Sequence, residues 1–206
     1  LLHAGMDAGY ASDSGFREAF EKLFRLSPGR ARETRALTVR PLSTPLGTML
    51  AAATEEELVF LEFHDRRAME AQIQTLARRM QAHFVPGDNA VLQQTAGELE
   101  EYFAGTRARF ELPLAWPGSD WERAVWEQLL AIPCGETRSY AQIAAALGRP
   151  GASRAVGTAN GRNRLGIVIP CHRVVRADGS LSGYGGGVWR KRALLDHEAR
   201  YSGRSQ

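Results

Sequence analysis

The chain has 206 residues, of which 44% are hydrophobic and 24% are charged, as is ordinary for a soluble globular protein with one large or two small domains. No stretch is apolar for long enough to span a membrane, no secretory signal opens the chain, and two cysteines are too few for a disulfide framework. We therefore expect a cytoplasmic protein with no membrane partner.

Basic residues are concentrated in the C-terminal half of the chain. Residues 37–119 carry seven basic and eleven acidic side chains, whereas residues 120–200 carry twelve and seven. Every basic residue except Lys22 and Lys191 is an arginine, whose planar guanidinium group suits phosphate. This distribution favours a surface that faces a polyanion, although a solvated arginine-rich face is the alternative.

The first 36 residues predict two short helices joined by a turn. Gly9 ends the first, Ser12 or Asp13 can cap the second, and phenylalanines recur there at helical spacing. The string AGYxSxSxFxxxFxxxFxxSPxxxR resembles the second helix-turn-helix of an AraC-type DNA-binding domain, which normally holds two such units. Because helix-like sequence begins almost at the first residue, we expect this chain to be part of a longer polypeptide.

Residues 37–113 predict a small α/β domain. ALTVRPLSTPLGTMLAAATEEELVFLEF contains two or three β-like runs, of which LVFLEF is the clearest. AMEAQIQTLARRMQ predicts an amphipathic helix with an apolar stripe of Met69, Ile73, Leu76 and Met80, and VLQQTAGELEEYFAG predicts a second helix that Gly105 ends. Nothing in this segment indicates catalysis, and we expect His64 and His83 at the surface.

Residues 114–206 predict a mostly helical domain. WERAVWEQLLAI, then YAQIAAALG with Ser139 as its cap, then the Ala/Gly-rich SRAVGTAN all predict helices, and the last two form a helix-turn-helix pattern. LGIVI predicts a strand, DGSLSGYGGG a glycine-rich loop, and WRKRALLDHEA a final helix.

The stretch IPCHRVVR raises the question of whether Cys171 is a buried, inert thiol or a nucleophile. Its predicted position at a strand end favours the nucleophile, as do His172, Arg173 and Arg176, because positive charge stabilises a thiolate. Neighbouring side chains on extended chain point to opposite faces, so we expect His172 to act on the sulfur through a water.

Two other chemistries are open to this cysteine. No CxxC or HxxxH spacing occurs, so we expect no metal site. A cysteine hydrolase would take its histidine from a distant segment, and His197 keeps that alternative open.

The motif PCHRVV, preceded by the helix-turn-helix pattern and RAVG, resembles the O6-alkylguanine-DNA alkyltransferase family (methylated-DNA–protein-cysteine methyltransferases). The resemblance extends through IPCGETRSYAQIAAALG, SRAVGTANGRN, IVIPCHRVV, GSLSGY and LLDHEA. It covers residues 114–200 densely and residues 37–113 loosely. Together with the AraC-like opening, the arrangement resembles the bifunctional Ada regulators.

The resemblance implies catalytic roles for four residues. Cys171 takes the alkyl group from O6 of guanine, and His172 deprotonates it through a water. Glu198 orients that histidine, and Asn163 organises the turn beside the cysteine.

It also implies five residues that bind DNA or the base. Tyr140 crowds the phosphate and helps to protonate the departing guanine, and Arg154 fills the gap left by the extruded base. Tyr184 and Gly185 belong to the loop that closes over the guanine, where the backbone N–H of Gly185 bonds O6. The backbone carbonyls of Cys171 and Val174 receive the exocyclic amine.

The implied protein has an AraC-type half-unit (residues 1–36), an α/β domain (37–113) and a mostly α catalytic domain (114–206). It is a monomer without cofactor or metal that flips O6-alkylguanine out of double-stranded DNA, with O4-alkylthymine as a second candidate substrate. It transfers the alkyl group irreversibly to Cys171, once per molecule, and its AraC-like unit adds transcription regulation. The alternative is a damage-sensing DNA-binding regulator without transfer activity.

Overall fold

The computed structural model describes residues 34–67 and 69–202. This part of the chain divides into two compact units, one comprising residues up to 100 with 112–117, the other residues 101–111 and those from 118 onward. The predicted AraC-type half-unit lies outside the described residues, except that residues 35 and 36 begin the first strand. The bounds of the three predicted domains stay a prediction.

The first unit is built on a four-stranded sheet. Strands β1 (Arg35–Leu42), β2 (Met49–Ala53) and β3 (Leu58–Phe63) pair antiparallel in sequence order. The fourth, β4 (Ala82–Pro86), pairs in parallel with β1, which gives the order β3-β2-β1-β4. A parallel partner requires a crossover, and helix α1 (Met69–Met80) supplies it. The segment predicted to contain two or three β-like runs forms three strands, whereas β4 was not predicted.

The core of this unit lies between α1 and the sheet. Met69, Ile73 and Leu76 recur at helical spacing on α1 and are buried, which confirms the predicted apolar stripe. They belong to one cluster with Leu37 of β1 and Phe60 of β3, both fully buried. Burial of that apolar stripe, more than helix propensity, therefore fixes the crossover helix.

Helix α2 (Ala90–Ala104) crosses from the first unit into the second. It begins after Asn89, whose side-chain oxygen accepts the N–H of Leu92 at 3.0 Å. It ends at Gly105, which has φ +75°, as the sequence predicts. The last turn of α2 carries Tyr102, which is buried in the second unit.

The second unit is mostly helical. It contains α3 (Asp120–Leu130), α4 (Tyr140–Ala146), α5 (Ser153–Gly161) and α6 (Val188–Ser202). None of the helices in the described part of the chain is long and apolar enough to cross a membrane.

Local capping fixes where the first helices of this unit begin. Ser119 and Ser139 each form a capping box with the third residue of α3 and α4. The Trp126 indole on α3 donates to the Ala159 carbonyl on α5 at 2.9 Å. The six residues 147–152 join α4 to α5, so these two helices form the predicted helix-turn-helix arrangement.

The run LGIVI does not form the predicted strand. It turns tightly, and Ile167 has φ +70°, a conformation that costs a side-chain-bearing residue about 1–2 kcal/mol. Asn163 holds both ends of the turn: its Oδ1 accepts the Leu165 N–H at 2.9 Å and its Nδ2 donates to the Ile169 carbonyl at 2.8 Å. The run is apolar because it is buried, and a short apolar run alone does not distinguish strand from buried loop.

We predict that Gly105→Ala destabilises the protein more than Gly148→Ala. Both glycines have positive φ (+75° and +70°), which costs alanine about 1–2 kcal/mol. A Cβ at Gly105 would also overlap the Tyr201 ring, whereas nothing lies within 4 Å of one at Gly148. Overpacking should add about 1–3 kcal/mol for Gly105→Ala alone. Urea unfolding of the two variants measures the difference, and equal losses would contradict the overlap with Tyr201.

Candidate active site

The Cys-His pair lies in a single turn of 3-10 helix, Cys171–Arg173, and not in extended chain as predicted. The turn follows Pro170 and runs into β6 (Val174–Val175), which pairs in parallel with β5 (Arg138–Ser139). All three side chains of the turn are buried, with His172 fully inaccessible. The groups of this site are therefore shielded from bulk water.

Asn163 contacts the sulfur of Cys171. Its Nδ2 donates to Sγ over 3.2 Å, while the same amide holds the preceding loop. Asn160, on α5, donates to the Cys171 carbonyl at 3.4 Å. A hydrogen bond donated to sulfur favours the thiolate over the thiol. The thiol is thus buried, but it has a polar partner that an inert thiol would lack.

Glu198, on α6, is the most heavily bonded side chain of the site. It accepts from His172 Nε2 (2.8 Å), from Nε and Nη2 of Arg173 (both 2.9 Å), from the Tyr102 hydroxyl (2.8 Å) and from the Gly135 N–H (3.2 Å). Burial alone would raise the pKa of Glu198, but the hydrogen bonds from His172 and Arg173 and the positive charge of Arg173 outweigh it and hold the pKa well below its ordinary value. The carboxylate is therefore ionised at neutral pH.

The surroundings of His172 fix its protonation. Burial lowers the pKa of His172, although the Glu198 carboxylate opposes this shift. Arg173 already balances the charge of Glu198, so a second buried cation would be uncompensated. An ionised carboxylate only accepts, so Nε2 carries the hydrogen and Nδ1 keeps its lone pair. Nδ1 has no hydrogen-bond partner in the described part of the chain, so its lone pair is available to accept a proton.

The cation beside Cys171 is Lys191, which the sequence analysis missed. Its ammonium group is fully buried and donates to the Val174 carbonyl and to Ser182 Oγ, the latter over 3.1 Å. Burial lowers the pKa of Lys191 to about 8, while negative charge on Cys171 acts to raise it. The thiolate and this ammonium therefore stabilise each other.

The two arginines predicted to stabilise a Cys171 thiolate do not act as Lys191 does. Arg173 pairs with Glu198 and donates to the Ile132 carbonyl at 2.6 Å, and Arg176 is exposed. A signal for Lys191 existed in the sequence, since it is one of two lysines among 26 basic residues. A compact ammonium group changes its pKa readily when buried, whereas a guanidinium does not.

The predicted DNA-contacting residues of the helix-turn-helix lie on or against α5. Arg154, Ala155, Thr158 and Gly161 are exposed on this helix, so apart from Arg154 its exposed face carries only small side chains and is slim. The Tyr140 ring packs beside Gly157, where an added Cβ would lie 3.6 Å from ring atom Cε1. The Tyr140 hydroxyl lies 2.6 Å from Ser182 Oγ.

Two hydrogen bonds to backbone carbonyls hold the glycine-rich loop that contains Tyr184 and Gly185. The Gly187 N–H donates to the Tyr184 carbonyl at 3.0 Å, and the buried Arg190 donates through Nη1 to the Gly186 carbonyl at 2.9 Å. Tyr184 and Gly185 are half-buried. Val174, whose carbonyl was predicted to receive a guanine amine, already accepts from Lys191 and retains its second lone pair.

Two observations bear on the alternatives of a metal site and a cysteine hydrolase. No group of three or more His, Cys, Asp or Glu side chains that could hold a metal occurs within residues 34–67 and 69–202. His197, the residue considered for a hydrolase, lies with Nε2 2.8 Å from the Tyr102 carbonyl and packs against Tyr201.

Comparison with known proteins gives the same picture for both units. Residues 39–116 match the ribonuclease-like domain of 6-O-methylguanine DNA methyltransferase, and residues 120–200 match the DNA-binding domain of that protein. The chain belongs to the 6-O-methylguanine DNA methyltransferase family. All nine predicted site residues fall within the second match.

Individual members of the family are similar over most of their length. A methylated-DNA–protein-cysteine methyltransferase of Mycobacterium leprae is 39% identical over 77% of this chain and 90% of its own. One from Mycobacterium bovis is 51% identical over 56% of this chain and 70% of its own. The crystal structure of Mycobacterium tuberculosis OGT in complex with DNA covers 80% of this chain and 94% of its own, with 40% identity and a TM-score of 0.69.

The Glu198 bonds predict a pH-dependent stability. Because its folded pKa lies below its ordinary value of about 4.3, Glu198 stabilises the fold above that pH, and the contribution is lost as the pH falls further. His172, whose folded pKa is also lowered, begins to destabilise the fold once the pH falls below about 6.5. Glu198→Gln should lose about 3–5 kcal/mol of unfolding free energy at pH 7, since it leaves Arg173 buried and unpaired.

Urea unfolding at pH 7 and at successively lower pH values measures both effects. Glu101→Gln is the matched control, because Glu101 forms an exposed ion pair with Arg107 and should lose no more than about 1 kcal/mol. A Glu198→Gln variant as stable as Glu101→Gln would contradict the structural role of the buried carboxylate.

Proposed function

We propose that Cys171 accepts the alkyl group when this chain repairs DNA. The chain binds DNA and repairs it by alkyl transfer, as do its relatives, which are methylated-DNA–protein-cysteine methyltransferases. The proposed substrate is O6-alkylguanine in double-stranded DNA, with O4-alkylthymine as a second candidate. The observation that carries the assignment to Cys171 is its sulfur, bonded by Asn163 in a turn whose next residue is a base oriented by Glu198.

The proton path begins at the thiol. His172 Nδ1 takes the proton of Cys171 through one bridging water, and the thiolate that forms balances the charge of the imidazolium, whose Nε2–H stays bonded to Glu198. Sγ then carries the negative charge, which the Asn163 amide and the Lys191 ammonium stabilise. This sequence needs no cofactor.

The transfer itself is a displacement at carbon. Sγ attacks the alkyl carbon, a C–S bond forms, and the bond from that carbon to O6 breaks with its electron pair leaving on the guanine. A proton that Tyr140 helps to supply to the guanine makes it a neutral leaving group. The product at Cys171 is a thioether, which water does not hydrolyse under these conditions, so each molecule reacts once.

The base has to leave the helix before it can reach a buried sulfur. Extrusion costs a few kcal/mol, which phosphate contacts and an inserted side chain can offset. The slim exposed face of α5 supports entry into a groove, and Arg154 on that face is the proposed occupant of the vacated stack. Tyr184 and Gly185 close over the flipped guanine, and the carbonyls of Cys171 and Val174 accept its amine. We propose that the protein does this as a cytoplasmic monomer.

A regulatory role is a further part of the proposal. The AraC-like motif in residues 1–36 supports a DNA-reading half-unit that precedes the α/β domain (37–113) and the catalytic domain (114–206). A damage-sensing regulator without transfer activity would have no need of a thiol in the Asn163–His172–Glu198 network.

The proposal predicts one methyl group on one residue. After incubation with duplex DNA that contains O6-methylguanine, mass spectrometry of peptides should find a single added methyl on Cys171. Cys171→Ala should take up none. Cys134→Ala is the matched control, because burial raises the pKa of Cys134 and this residue lies outside the proposed path. The Cys134→Ala variant should therefore take up one methyl group on Cys171, as the wild type does. An unmodified Cys171, or a methyl on Cys134, would overturn the assignment.

A further inference from the structure

Ser182 lies between two polar side chains from different segments of the chain, Tyr140 and Lys191. Its Oγ lies 2.6 Å from the Tyr140 hydroxyl and 3.1 Å from Nζ of Lys191. Tyr140 begins α4, Ser182 lies in the loop before α6, and Lys191 is in the first turn of α6. Three separate segments thus bring an ammonium group, an aliphatic hydroxyl and a phenol into one hydrogen-bonded row.

The ammonium group sets the direction of this row. Lys191 can only donate, so Ser182 Oγ has to accept from it. Ser182 then has one hydrogen to give, and the Tyr140 oxygen is within reach. When Ser182 donates to the Tyr140 oxygen, the phenolic hydrogen of Tyr140 is not used in a bond to Ser182 and can point toward a substrate. The opposite arrangement would leave the Ser182 hydrogen without this partner.

We infer that Ser182 is a positioning residue that connects the Lys191 ammonium to the Tyr140 phenol and holds that phenol as a hydrogen donor to the departing guanine. This inference rests on the proposed function, in which Tyr140 helps to protonate the base. It assigns to Ser182 a part that the sequence resemblance does not give it.

The proton transfers balance along this row. As the bond from the alkyl carbon to O6 breaks, its electron pair stays on the guanine, which takes the phenolic proton of Tyr140. The phenolate oxygen takes the Ser182 proton, and Ser182 takes one from the Lys191 ammonium, which becomes a neutral amine. His172 has meanwhile gained the proton of Cys171, so the net charge of the site does not change.

The burial of Lys191 suits this role. An ammonium group without access to water is held mainly by the Val174 carbonyl and Ser182, so its charged form is only moderately favoured. Burial lowers its pKa to about 8, so at neutral pH it is charged yet gives up a proton more easily than a surface lysine. An arginine at this position would remain charged and could not act as a donor of protons.

The test compares single variants with a double variant. We expect Ser182→Ala to lower the rate constant of methyl transfer at saturating DNA by about tenfold, a part of the roughly 100- to 10,000-fold that general acid catalysis contributes. Affinity for unmodified duplex DNA should stay within about twofold. Ser182→Thr, which keeps the hydroxyl, should recover most of the rate. In a Tyr140→Phe background, Ser182→Ala should have no further effect, because the phenol through which it acts is gone.

Ser180→Ala is the matched control. Ser180 lies in the same loop, but its hydroxyl bonds the exposed Asp178, so its loss should leave the rate unchanged. Thermal unfolding of each variant separates loss of fold from loss of rate. A wild-type rate for Ser182→Ala, or an equal loss in the presence and absence of the Tyr140 hydroxyl, would overturn the inference. Failure of the wild type itself to methylate Cys171 would instead overturn the proposed function.

Discussion

The buried carboxylate of Glu198 is the interaction on which the active site depends. It collects hydrogen bonds from α2 through Tyr102, from the loop after α3 through Gly135, and from the Cys171–Arg173 turn through His172 and Arg173. A buried carboxylate is unfavourable unless it is paired and fully bonded. Here the pairing serves two ends, because the same bonds that satisfy Glu198 also lock the turn that carries the nucleophile.

The charge balance around Glu198 determines the chemistry of its neighbours. Arg173 neutralises the carboxylate, so His172 can remain a neutral base with its acceptor nitrogen free. The positive charge next to the sulfur comes from Lys191, which donates to Val174 and Ser182 and not to Glu198. Base and cation are thus separate residues, and each can act on Cys171 without competing for the same carboxylate.

Local patterns in the sequence predicted much of this arrangement. The periodic stripe of Met69, Ile73 and Leu76 and the cap at Ser139 follow from rules that act within a few residues. Cys171, His172, Asn163 and Glu198 were found through ordered motifs, and the structure brings all four together.

The errors and omissions have physical reasons as well. LGIVI was expected as a strand because burial and strand pairing produce the same apolar run, and only the Asn163 bonds distinguish them. Tyr102 was missed because it lies 96 residues from Glu198 in sequence, and no local rule connects such positions. Lys191 and Ser182 act through contacts between separate segments.

Nitrogen NMR of the His172 ring, assigned by comparison with His172→Gln, tests the central claim most directly. The account predicts a neutral ring at pH 7, protonated on Nε2 and unprotonated on Nδ1; a proton on Nδ1, or on both nitrogens, would contradict it.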